Sequence, residues 1–149
     1  MGVVRKALAR GIAAGTLACA FATAGIALGV DGEQHTYTDT LETGGTVSMR
    51  LTDEGRPKVD QIKIEEISAV CSGGTGALDF RIYGRTPVLE NRSFVVRSED
   101  GTGGKALVRG RFSRTYKRVT GIVRVYGMFH FGQDGSASCD SEKQIFLAR

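Results

Sequence analysis

After residue 30 the chain alternates. Apolar and polar side chains exchange places every second residue, and each run stops at glycine, proline or an acidic residue. Val47, Met49 and Leu51 fall on one face of such a run, as do Ile62 and Ile64 in the next and Leu78, Phe80 and Ile82 in a third. Successive side chains of a strand point to opposite faces, so a period of two predicts strands. No window of a dozen residues carries the 3.6-residue spacing and caps of a helix. Turns are expected at residues 53–57, 84–87 and 99–104, where Gly, Pro and Asp gather. Val59 is out of step with Ile62 and Ile64, which predicts a bulge or a change of strand there. With a short run at 93–97 and a closing run at 144–148, the chain holds eight or nine strands. The fold class is therefore all-β, an antiparallel β-sandwich or open barrel. No internal repeat or low-complexity linker divides it, so residues 30–149 form one domain.

The first thirty residues are of another kind. Arg5, Lys6 and Arg10 precede an uncharged stretch, residues 11–30, made mostly of Ala, Gly and Thr. A basic start, an apolar middle and small residues at a cleavage position describe a secretory signal peptide over residues 1–29. Cleavage is expected after Ala24, before Gly25, or after Gly29, before Val30. An uncleaved membrane anchor is the rival, since twenty uncharged residues are just long enough to span a bilayer. The stretch is poor in Leu and Ile and has no Trp or Tyr at its ends, which favours cleavage. Cys19 follows Thr16-Leu17-Ala18, a poor match to a lipoprotein signal, and is expected to leave with the leader.

Two cysteines then remain, Cys71 and Cys139. Two thiols in an exported chain most simply form one disulfide. Neither lies in a CxxC, and His35 and His130 have no metal-ligand spacing with them, so no metal and no cofactor is expected. Charge also changes with processing: a chain starting at Gly25 loses three of its 20 basic residues and none of its 16 acids, leaving a net charge of +1.

The densest charge lies at residues 105–131, KALVRGRFSRTYKRVTGIVRVYGMFHF, with seven Lys or Arg and no acid. Alternation places Ala106, Val108, Gly110 and Phe112 on one face. After a bend at 113–117, Val119, Gly121, Val123, Val125, Gly127 and Phe129 share that face. Lys105, Arg109, Arg111, Arg118 and Arg124 thus point to solvent by strand period alone, where they also discourage edge-to-edge aggregation. The nine acids against four bases in residues 31–66 are expected to help neutralise them. The sharper reading makes Arg109, Arg111, Arg118 and Arg124 a basic platform, with Tyr126 and His130 as stacking partners for an anionic ligand. Nucleic acid is disfavoured as that ligand: RGRFSRTY lacks the internal aromatic positions that stack on bases, and a net charge near zero supplies no broad field. An anionic cell-wall polymer or acidic glycan suits an exported protein better.

Other motifs point to structure. Residues 71–76 are Gly-rich, but no helix follows to cradle a phosphate, so a flexible connection beside the disulfide is expected. Residues 132–136 read as a turn, Asp134 alone being too few oxygens for calcium. Asn91-Arg92-Ser93 is formally a glycosylation sequon. No nucleophile elbow occurs and neither His neighbours a nucleophile in the chain. A hydrolase using a carboxylate pair stays open as an alternative, although adjacent Glu65 and Glu66 would face opposite ways in a strand. A purely structural envelope protein is the other.

The combination of a leader, GGTVSMRL, a central Cys, NRSF, VRGRFS, VTGIVRV and a late Cys over residues 43–148 resembles a group of small exported proteins common in actinobacteria. The resemblance implies an exported β-sandwich with one disulfide and brings no catalytic residues with it. The expectation is a secreted or envelope-associated, non-enzymatic binding domain, bacterial in origin, with no stable membrane span once the leader is removed.

Overall fold

The computed structural model describes residues 33–132 and 135–149. The expected leader, its cleavage positions and Cys19 lie outside these residues, as do Gln133 and Asp134 of the turn at 132–136. Nine strands appear in chain order: β1 (Glu33–Thr40), β2 (Thr46–Asp53), β3 (Pro57–Cys71), β4 (Gly74–Pro87), β5 (Ser93–Glu99), β6 (Gly104–Phe112), β7 (Val119–His130), β8 (Ser136–Asp140) and β9 (Gln144–Ala148). All pair antiparallel in a single open sheet, β1-β2-β3-β8-β7-β6-β5, with β4 on the other side of β3 and β9 on β7. No helix occurs among the described residues, so none is long and apolar enough to cross a membrane.

Curling lets the sheet bury one face against itself. β1 to β4 supply one layer and β5, β6, β7 and β9 the other. Between them sit the residues that alternation assigned inward, Val47, Met49, Leu51, Ile62, Ile64, Leu78, Phe80 and Ile82 from one side, and Val108, Phe112, Val119, Val123 and Val125 from the other. The described core lies wholly between Tyr37 and Ala148. At one end Tyr37, Phe94 and Tyr116 all pack on Phe112 with ring centroids 5.3–5.4 Å apart, edge-on or tilted as aromatic quadrupoles prefer. The layers nearly close along β1 and β9, where Asp39 accepts the Leu147 N–H at 2.6 Å. Along β4 and β5 the layers also approach without a hydrogen-bonded ladder, with Ile82 and Tyr83 of β4 and Val96 and Arg97 of β5 lining one cavity.

The bulge expected near Val59 is present: pairing with β2 shifts between Arg50 and Leu51, which bracket Asp60. Residues 84–87 are not a turn, however. β4 runs on to Pro87, and Gly84 and Arg85 bulge out opposite Asp60, because Val59 pairs Thr86 and Gln61 pairs Tyr83. Gly and Pro mark a distorted strand here, and the chain reverses only beyond residue 87, with the Leu89 and Ser93 backbones hydrogen-bonded. Residues 71–76 are likewise no loose connection. Cys71 pairs with Gly74, which makes Ser72-Gly73 the two-residue turn of a hairpin. A second bulge places Glu65 and Glu66 opposite Asp79, with Glu66 at φ 55° and its N–H held by the Asp79 carboxylate.

Cys71 and Cys139 form the disulfide, directly opposite one another across β3 and β8. Only Val70–Asp140 and Cys71–Cys139 pair these two strands, so the covalent bond joins the layers where the ladder is shortest.

Candidate functional site

β7 is served by two strands in succession. Its second half pairs with β8 and its first half with β9. At the handover Ser141 takes the place of a strand partner: its hydroxyl accepts the Val125 N–H at 2.8 Å and its own N–H bonds the Val125 carbonyl. Asp140 braces the same corner. One of its oxygens accepts from Arg124 Nε at 2.9 Å and from the Glu142 N–H at 2.8 Å, while the other is bonded by the second nitrogen of the Arg124 fork. The guanidinium also lies 4.9 Å from the Tyr126 ring centroid. The Arg124 hydrogen bond holds the Asp140 carboxyl below the usual carboxylate range against the opposing effect of burial, and the same bond raises the Arg124 pKa. Arg124 and Tyr126 thus belong to a pinned corner.

Arg109, Arg111 and Arg118 are placed differently. All three are exposed on the outer side of the β6–β7 hairpin. Among the described residues none of them has an acidic partner. Arg111 donates to the Asn91 carbonyl at 3.0 Å, which orients its side chain without neutralising it. Around them the surface is dished. One depression of about 290 Å³ lies over the Gly110–Gly121 pair, bordered by Arg109, Arg111, Thr120 and Ile122. A second, of about 250 Å³, is bordered by Arg111, Arg118, Thr120 and Leu147. Arg111 and Thr120 line both, so the two are contiguous.

Beneath the first depression the glycine pair serves the core side of the sheet. Both glycines lie on the core-facing parity, and a Cβ on Gly110 would stand 2.8 Å from the Phe94 ring, one on Gly121 2.6 Å from Phe146. Omitting two side chains lets two aromatic rings press against the inside of the sheet.

Of the described acids in residues 31–66, Asp39 reaches the rim of this face, where it accepts the Leu147 N–H, while three others pair within the first layer. Asp60 binds Arg50 at 2.9 Å, Glu65 binds Lys63 at 2.5 Å and Glu54 binds Arg85 at 3.2 Å, all within the first layer. The hairpin's own neutralisation comes from later residues, Asp140 on Arg124 and Glu99 within 3.8 Å of Lys105. His130 stands four residues beyond Tyr126 and pairs with Ser136 on β8, so the two rings do not share a platform. Asn91 uses its side chain to cap the turn before β5, accepting from the Ser93 N–H at 3.0 Å and its hydroxyl.

Sequence reasoning passed over Val95 and the outward residues of β9, Ile145 and Leu147, which complete the face. The period-two run at 144–148 carried that signal: with Gln144, Phe146 and Ala148 buried, the other two must point out. No group of three His, Cys, Asp or Glu able to hold a metal occurs among the described residues. Comparison with protein-family models, curated proteins and solved structures finds no match for this chain.

Proposed function

We propose that the chain is an exported, non-enzymatic binding module that holds an anionic ligand on the outer face of β5, β6, β7 and β9. The observation that carries the reading is the trio Arg109, Arg111 and Arg118, without acidic partners among the described residues and set around two contiguous depressions. A guanidinium engaged by a carboxylate has spent its donors; a free one presents a planar fork that matches phosphate or carboxylate. The leader, the disulfide and the likeness of residues 43–148 to small exported proteins support a site outside the cytosol, where anionic wall polymers and acidic glycans are the available polyanions. Arg124 and Tyr126 take a supporting part in this reading, by fixing the corner from which β9 rises beside the trio.

The test is retention on an immobilised anionic wall polymer at low salt. The protein should be held and then eluted by salt, while R109E/R111E/R118E should pass through with an unchanged melting curve. Equal retention of that variant overturns the reading.

A further inference from the structure

A purely polar ligand leaves part of this face unexplained. Ile145 is 76% exposed, Val95 45% and Leu147 43%. The register sets them among the arginines. Val95, Arg109, Ile122 and Ile145 lie abreast across the four strands, and Ser93, Arg111, Thr120 and Leu147 form the next row. The fold itself asks for apolar residues only on the opposite parity, so three branched aliphatics in water are a property of the surface and not of the core.

The chemistry of the face selects its occupant. A second copy docked face to face would set Arg109, Arg111 and Arg118 against their own counterparts, with no acid among them to relieve the repulsion. The partner must bring negative charge and hydrocarbon together in one plane. An anionic bilayer surface does this, with phosphates that arginine binds in a fork and, just beneath, an interfacial layer that takes short aliphatic side chains.

From these observations we infer that the outer face of β5, β6, β7 and β9 seats on an anionic membrane surface. Arg109, Arg111 and Arg118 contact lipid phosphates, and Val95, Ile145 and Leu147 enter the interfacial layer. The inference rests on the anion-binding reading above and narrows its ligand to an anionic amphiphile.

A chain starting at Val30, which holds the whole described core, is floated with phosphatidylcholine vesicles with and without phosphatidylglycerol, and run in parallel on immobilised polyphosphate. Binding is expected only to vesicles containing phosphatidylglycerol. R109E/R111E should weaken both assays by about tenfold or more. I145S/L147S should weaken vesicle binding by roughly tenfold and leave polyphosphate retention unchanged; V95S provides a second, independent aliphatic change in the same direction. All five positions are exposed, and unchanged melting curves show that each variant is folded. Vesicle binding that ignores the aliphatic changes, or that is equal without phosphatidylglycerol, overturns the inference. Retention on polyphosphate with no vesicle binding overturns it too, while leaving the anion-binding reading in place. Failure to bind either probe removes both.

Discussion

A methyl group added at Gly121 would lie 2.2 Å from the Arg109 carbonyl oxygen as well as against Phe146. Backbone on the neighbouring strand cannot retreat without breaking the ladder, so G121A should cost about 2–3 kcal/mol, read as a fall in the urea midpoint at constant slope. G110A meets mainly the tip of the Phe94 ring, which can tilt, and should cost less. Asp140 makes a separate prediction. Its carboxyl is held down first by the hydrogen bond from Arg124, with the Glu142 N–H contributing. A folded pKa below the unfolded value, about 3.9, gives stability that is present above that value and lost as pH falls through the depressed one. Asp100 behaves alike: burial pushes it up, but the Thr102 hydroxyl and the N–H groups of Thr102, Gly104 and Gly103 outweigh this. D140N should therefore be less stable at neutral pH and should lose less on acidification, measured by melting temperature from about pH 5 to pH 2.

Among the elements, β8 is the weak hinge. It meets β3 through two register pairs, one of them the disulfide, and meets β7 through five. The bond closes a loop of 68 residues in sequence separation, for which chain entropy predicts roughly 4 kcal/mol of stabilisation. C71S/C139S should lose about that much in urea unfolding, and hydrogen exchange should show β8 amides opening before those of β6. If β8 exchanged no faster than β6, the two layers would be held by something other than this contact. Seven of the nine strands were read from the sequence, down to the inward set of β6 and β7, because side-chain parity is a local property of extended backbone; β1 and β8 were not assigned. Residues 84–87 were not legible, since Gly and Pro punctuate a bulge and a turn alike.

Taken whole, the molecule divides its charge. The first layer pairs its own acids and bases, Arg50 with Asp60, Lys63 with Glu65 and Arg85 with Glu54. The second pairs Lys105 with Glu99 and Arg124 with Asp140 but leaves Arg109, Arg111 and Arg118 without an acidic partner among the described residues. A net of +1 for the chain from Gly25, 17 basic against 16 acidic residues, conceals this asymmetry. Binding to a linear polyanion should then fall with salt at a log–log slope of roughly −2, as expected for three released counterions. R109E/R111E/R118E should show no such slope. Affinity of the unaltered protein that is flat in salt would sink the electrostatic account.

Alternation alone determined that the chain is all-β and which side chains line most of its core. Only the tertiary structure decided which arginines are free. Asp140 lies 16 residues from Arg124 and Asp39 lies 108 from Leu147, and no local period reports that these segments meet. Parity is set by the geometry of each strand, whereas the partner across the sheet is set by register and by how the layers fold over one another, which every distant strand must settle together.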